Sequence, residues 1–316
     1  MDKNPDMALW TGRDDNDGQQ RWHQQISPLL KTDQRPGIAI LGIASDEGVK
    51  RNQGRIGAAA GPDAIREKLA NQAYHLNRPI YDAGNLDCKR KNLESMQEEQ
   101  AILVQSLLQQ NHFPLLLGGG HEIALGSFLG LERHIAPTTK AAPIGIINFD
   151  AHFDLRTADQ STSGTPFRQI AEHCQTKGLP FHYFCLGISE VANTETLFKQ
   201  AEQLKVQYLK DEEINSWQLP QVEKRLAEFL APCQAVYLSI DLDVLPAETA
   251  PGVSAPAARG LPLPLLEHLL RFIKLTAGKR LRVADIAEYN PRCDIDGRTA
   301  KVAARLGHLI SRKENL

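Results

Sequence analysis

Residues 144–154 read IGIINFDAHFD, and this stretch decides the fold. Its first six residues, Ile144–Phe149, form an apolar run of strand length with Asn148 as its one polar member. A run without polar alternation belongs to a strand buried on both faces, the condition of a parallel sheet covered by helices. The charged string DAHFD follows at the carboxyl end, where open α/β sheets build their sites. Alternate side chains of an extended chain share a face, so Asp150, His152 and Asp154 are expected to project the same way. Two carboxylates and an imidazole pointing together call for a cation.

Working outward, the same design recurs. Residues 235–243 (AVYLSIDLD) are an apolar run closed by Asp241 and Asp243. Residues 114–117 are a short apolar run followed by GGGHE, which carries His121. Residues 281–286 precede Glu288. Further strands are predicted at 37–43, 181–186 and 206–209. Helices are predicted at 62–71, 93–110, 121–134, 190–203, 218–230, 263–275 and 299–312, where apolar residues recur at helical spacing. This alternation predicts an α/β fold on a mostly parallel sheet. No composition break divides it. Residues 1–35 are polar, with Trp10 and Trp22 as isolated anchors, and are expected to be an N-terminal extension packed on the core. Residues 36–316 are expected to form a single α/β catalytic domain.

Lys plus Arg number 36 and Asp plus Glu 38, so the charge balance favours neither nucleic acid nor an anionic membrane as the main partner. No apolar run approaches the ~20 residues that span a bilayer. The polar start has no signal-peptide core. Five scattered cysteines without a CxxC pair read as reduced thiols of a cytoplasmic protein.

His121, Asp150, His152, Asp154, Asp241 and Asp243 are the candidate metal ligands. Four carboxylates in one cavity would be neutralised by two divalent cations. Oxygen-rich ligation with two imidazoles and no thiolate favours Mn²⁺ over structural zinc. A single Asp at a strand end is more often a helix N-cap, and a single His more often a core residue. Six such residues at three strand ends do not fit those readings together. The glycines 118–120 lack the spacing of a nucleotide loop.

The strings GGGHE, DAHFD and SIDLDVLP, in this order, resemble the metal-binding motifs of the arginase/ureohydrolase family, over about residues 37–306. The resemblance implies a three-layer αβα sandwich and two Mn²⁺ ions per subunit. By it, His121 and His152 cap opposite metals, Asp150 and Asp241 bridge, Asp154 joins the metal of His121, and Asp243 joins that of His152. It also implies a hydrolase of C–N bonds at guanidino or amidino carbons, attacked by a metal-bridging hydroxide, and a homo-oligomer. Glu288, in AEYNP, matches the family's acid that faces the cationic headgroup.

Two departures bear on the substrate. Many arginases and agmatinases carry a His before Gly in the loop after the DAHxD strand, assigned to proton shuttling; here Ser163 stands there, and a hydroxyl cannot replace imidazole in that role. The first motif is GGGHE rather than the commoner GGDHS. Positive charge also gathers at the sheet end. Arg51, Asn52 and Arg55, with Arg156 and Arg168 beside the metal loop, are candidates to bind an anionic tail, since the guanidinium fork suits carboxylates. A cationic amidine with two carboxylates suits the set, and N-formimidoyl-L-glutamate is such a small molecule. DEGVKRNQGRIGAAAGP (46–62), LGGGHE (117–122), STSGTPF (161–167) and WTGRDD (10–15) most resemble the family branch that hydrolyses it to L-glutamate and formamide in histidine degradation. Glu288 would orient the amidinium, Asp154 would be the acid for the departing nitrogen, and Ser163 or Thr165 would hydrogen-bond substrate. The alternatives are another ureohydrolase, such as an agmatinase or guanidino-acid hydrolase, and a non-catalytic metal-binding protein on the same fold.

Overall fold

A computed structural model describes residues 5–14, 18, 20–30, 35–89, 92–135 and 142–312. Nine strands are found among them: β1 (Ser27–Pro28), β2 (Ile38–Ala44), β3 (Ile80–Asp87), β4 (Phe113–Gly118), β5 (Ile144–Phe149), β6 (His182–Ile188), β7 (Gln207–Lys210), β8 (Ala235–Asp241) and β9 (Leu281–Ala287). They form one sheet in the order β1-β3-β2-β4-β9-β8-β5-β6-β7, and every pairing is parallel. The α-helices are α1 (Trp22–Gln25), α2 (Glu47–Arg51), α3 (Gly61–Ala70), α4 (Leu93–Gln109), α5 (Ile123–Ile135), α6 (Pro166–Lys177), α7 (Glu195–Gln203), α8 (Leu219–Leu230), α9 (Leu263–Ala277) and α10 (Arg298–Ser311).

The strands have continuous apolar sequences because both of their faces are covered. Ile38, Ile40, Leu115, Leu117, Ile147 and Phe149 point to one face, against Ile65 and Leu69 of α3 and residues of α8, α9 and α10. Their neighbours Ala39, Leu41, Leu116 and Ile146 point to the other, against α4, α5, α6 and α7. The result is the three-layer α/β architecture.

Several elements depart from the sequence expectation: β1, α1, α2, β3 and α6 are absent from it, and one expected helix divides. β3 reads IYDAGNLD and is too polar to resemble a buried strand. It lies inside the sheet because Arg66 of α3 grips Asp82 through two bonds of 2.9 and 3.0 Å, with Trp10 Nε1 donating to the same carboxylate at 2.7 Å. Breaking such a buried pair costs about 3–5 kcal/mol. α6 was not expected, although Thr165–Pro166 is a helix-start signal. Residues 190–203 divide into a short 3₁₀ turn (Glu190–Ala192) and α7. Trp10 and Trp22 are both buried in the first apolar layer. Among the described residues no helix is long and apolar enough to cross a membrane, and all five cysteines are free of disulfides.

Candidate metal centre

The four strands β4, β9, β8 and β5 are contiguous in the middle of the sheet. Their carboxyl ends carry His121, Glu288, the pair Asp241 and Asp243, and the segment 150–154, respectively. Residues more than 160 positions apart are thereby brought to one place.

Strand alternation is not what makes the acids converge, contrary to the sequence expectation. β5 stops at Phe149 and β8 at Asp241. Beyond each end the chain makes the same local turn. Asp150 Oδ1 accepts the His152 N–H at 2.7 Å, and Asp241 Oδ1 accepts the Asp243 N–H at 2.8 Å. Both are aspartates bonding their own backbone two residues on, a turn that D-x-H and D-x-D encode. Asp154 is then aimed inward by a left-handed backbone, with φ of 51°. Six described non-glycine residues have positive φ, and three of them, Gln53, Asp154 and Glu288, line the same cavity. Backbone strain of this kind gathers at functional sites.

His121 Nδ1 lies 2.9 Å from Asp154, 3.1 Å from Asp150 and 3.2 Å from Asp241. His152 Nδ1 lies 3.0 Å from Asp243 and 3.6 Å from Asp150. Asp150 therefore belongs to two ligand groups, one with His121 and Asp241 and one with His152 and Asp243. His121 Nδ1 is buried and makes no aligned hydrogen bond to any of the three oxygens around it. Donors directed at a shared ion have this geometry; hydrogen-bonded pairs do not. Taken by themselves, these side chains cannot keep their ordinary charges. Burial and the Asp150 charge push the Asp154 carboxyl up to about 6. Burial, then Asp243 and Asp150, push Asp241 well above the carboxylate range. Burial opposes charge on His121 and His152, but the surrounding carboxylates overcome it and raise both imidazoles. Burial also works against Asp150, and the two imidazoles outweigh it to hold this carboxyl low. A divalent cation resolves the conflict by replacing these protons. The donor set, carboxylates and two imidazoles without thiolate, fits a pair of hard to borderline ions such as Mn²⁺.

Glu288 is tied twice to the GGGHE turn. Its N–H donates to the Gly119 carbonyl at 2.8 Å, and its Oε1 accepts the His121 N–H at 2.9 Å. Its Oε2 is buried without a partner and borders the cavity. Burial, with the Glu122 charge adding to it, raises this carboxyl to about 8. Gly119 itself allows a close backbone approach, since a Cβ there would sit 1.8 Å from the Ser45 carbonyl oxygen.

The cavity, of about 300 Å³, is bounded by His121, His152, Asp154, Asp241, Asp243 and Glu288 below and by Asn52, Arg55, Arg156 and Ser163 above. Arg156 is exposed, and its guanidinium has no partner among the described residues. Asn52 Nδ2 donates to Ser163 Oγ at 3.2 Å. The Arg55 guanidinium is committed to the carbonyls of Ser254, at 2.9 Å, and Val253. The remaining expected substrate residues do not border the cavity. Arg51 binds Glu94 at 2.6 Å and the Ser161 carbonyl at 3.0 Å, tying α2 to α4. Arg168 pairs with Glu172 one turn along α6. The Thr165 hydroxyl is held between the Thr162 carbonyl and Gln169. These three are diverted because a nearer partner in sequence or on α4 satisfies them.

Sequence reasoning missed Ser254 and Ala255, which line the cavity from a loop without a strand signal. It also missed the support beneath the ligands. His121 Nε2 contacts Ser239 Oγ at 2.9 Å, Ser239 donates to Asp285 at 2.6 Å, and Tyr237 and Ser127 also donate to Asp285, at 2.6 and 2.7 Å. Asn148 Nδ2 donates to Asp150 at 2.9 Å. The available signal was a charged Asp285 inside an apolar strand.

Fold and site together define a parallel α/β protein with a carboxylate–imidazole cluster at its central strand tips, made of two groups that could each hold a metal ion. Comparison with known proteins agrees. The sequence pattern of the arginase family matches residues 36–310. The chain is 52% identical to a formimidoylglutamase of Aeromonas hydrophila over 317 residues, covering 98% of this chain and 99% of that one. The crystal structure of formimidoylglutamase from Bacillus subtilis superposes with a TM-score of 0.82 at 23% identity, over 95% of this chain and 94% of that one. A Trypanosoma cruzi formiminoglutamase with Mn²⁺ gives a TM-score of 0.74 at 25% identity, over 89% and 95%. The chain belongs to the arginase family, and it is a hydrolase of that family.

Proposed function

We propose that this chain hydrolyses N-formimidoyl-L-glutamate to L-glutamate and formamide, a step of histidine degradation, with two Mn²⁺ ions. The observation that carries this is one cavity with a buried acid at its floor and an uncommitted guanidinium at its mouth. Glu288 Oε2 and Arg156 are the two groups, and candidate metal ligands line the same cavity. A cationic amidine head with an anionic tail complements that polarity. The names of the relatives point to the same substrate.

His121, Asp150, Asp154 and Asp241 would hold one ion, and Asp150, His152, Asp241 and Asp243 the other. Bound divalent ions supply a water of lowered pKa and hence a nucleophile at neutral pH. The rest is done by side chains. Glu288 pairs with the amidinium and turns its carbon toward the ligand cluster. Arg156, with Asn52 and Ser163, takes the carboxylates of the tail. Water oxygen adds to the formimidoyl carbon, and the Asp154 carboxylate, through the oxygen not turned toward His121, receives the proton released. The bond from that carbon to the glutamate nitrogen breaks as Asp154 returns the proton to the departing amine. Formamide and L-glutamate leave.

The test is a substrate panel with Mn²⁺-reconstituted protein. Formamide and glutamate in equal amounts from N-formimidoyl-L-glutamate are expected, with little urea from arginine or agmatine. Urea as the main product would overturn the proposal.

A further inference from the structure

Glu122 is fully buried beside the first metal ligand, and its carboxylate bonds Ser45 and Gly48 rather than a candidate ligand. Its Oε1 accepts the N–H of Gly48 at 3.0 Å and the hydroxyl of Ser45 at 3.0 Å. Its other oxygen has no partner. Its own carbonyl is held by Gln97 Nε2 at 2.7 Å. The side chain lies directly against the backbone of α2, because a Cβ on Gly48 would come within 2.5 Å of the Glu122 carboxyl carbon.

A helix of five residues does not sustain itself in water. The residue that precedes α2, Asp46, does not cap it; its carboxylate accepts the Gly57 N–H at 2.8 Å instead. Ser45 Oγ accepts the Glu47 N–H at 3.3 Å, and Glu122 supplies the acceptor for the next N–H, that of Gly48, from outside. What α2 carries forward matters to the cavity. Asn52 ends the helix, with its N–H on the Gly48 carbonyl at 2.9 Å, and residues 52–55 then line the cavity. One side chain thus joins the turn that bears His121 to the segment that bears Asn52 and Arg55.

We infer that Glu122 is a positioning residue that sets residues 52–55 against the metal-ligand turn and so determines how tightly the anionic tail of the substrate is held. This rests on the proposed substrate. It predicts a larger effect on tail recognition than on the headgroup, with metal retained.

The test uses the full-length, Mn²⁺-loaded protein with Glu122→Ala, Glu122→Gln and the milder Glu122→Asp, which shortens the side chain and weakens its two bonds while leaving the Ser45 hydroxyl on the Glu47 N–H. Two quantities are read: amide hydrogen exchange over residues 45–57, and KM for N-formimidoyl-L-glutamate against formamidine, the headgroup alone. In Glu122→Ala exchange should quicken, and KM for the dicarboxylate should rise about tenfold more than that for formamidine. Glu122→Asp should move both readouts the same way by a smaller amount. Glu122→Gln should recover most of the loss, because its amide oxygen accepts the same two bonds. Unchanged exchange, or equal KM effects on both substrates, would overturn the inference, and Glu122→Asp decides it even where Glu122→Ala does not fold. Wild-type protein inert toward N-formimidoyl-L-glutamate would instead count against the proposed function, leaving the exchange result to judge Glu122 separately.

Discussion

Asp285 accepts the hydroxyl hydrogen of Ser239 at 2.6 Å in the interior of the sheet, where neither residue meets solvent. A serine hydroxyl has one hydrogen. Given to Asp285, it leaves Ser239 only its lone pairs for His121 Nε2, 2.9 Å away. Nε2 therefore carries a proton, and the Nδ1 lone pair is turned toward Asp150, Asp154 and Asp241. The tautomer needed for metal ligation is set by a carboxylate two side chains from the site.

Replacing that carboxylate tests the chain of bonds. In Asp285→Asn the amide can donate to Ser239 and free its hydroxyl for Nε2. Mn²⁺ affinity should fall about 10–100-fold, measured by titration calorimetry. Ser239→Ala should do the same. Wild-type affinity in both would show that the orientation of His121 is fixed elsewhere.

Metal binding should release protons. Asp154 and Asp241 are raised by burial and like charge, and the imidazoles by their carboxylates. A bound divalent ion favours their proton-free forms, so affinity should increase with pH. Calorimetry in buffers of different ionisation heat should give a positive proton count at about pH 7, and a count of zero would contradict the ligand set.

Glu288→Gln keeps the bond to the His121 N–H but removes the charge facing an amidinium. Turnover should drop about 100-fold with metal content unchanged. Metal analysis and steady-state kinetics on one preparation separate the two effects. Unaltered kinetics would take Glu288 out of the reaction.

The arginines should divide by whether they are already engaged. Arg156→Ala should raise KM for a dicarboxylate substrate about tenfold or more, as expected for a lost charge-assisted bond. Arg168→Ala removes only an exposed pair with Glu172 and should leave KM alone. The reverse ranking would place the anion site on α6.

His308 of α10 accepts the Trp22 indole N–H at 3.1 Å, which requires a neutral ring. Burial, then the charges of His75, Arg312, Lys274 and Arg305, push it down to about 4 from 6.5. As pH falls, the unfolded chain takes up this proton first. The stability from this group is full above 6.5 and is lost progressively down to about 4. His308→Gln should therefore lose less stability than wild type between about pH 7 and pH 5 in urea denaturation. Parallel curves would show that the ring is solvated.

The sequence by itself determined the sheet, since near-continuous apolar runs such as Ile144–Phe149 and 235–240 have no other stable place than between two helical layers. It also located the candidate ligands, because D-x-H and D-x-D at strand ends are local signals. β3 stayed hidden because its aspartate becomes buriable only once Arg66 and Trp10, distant in sequence, meet it. The tertiary structure alone decided that β9 enters between β4 and β8, which brings Glu288 beside His121. It likewise decided that Arg156 stays unengaged while Arg51 is bound by Glu94. Residue type and spacing report what a side chain can do. Which partner claims it depends on distances that exist only after the chain has closed on itself.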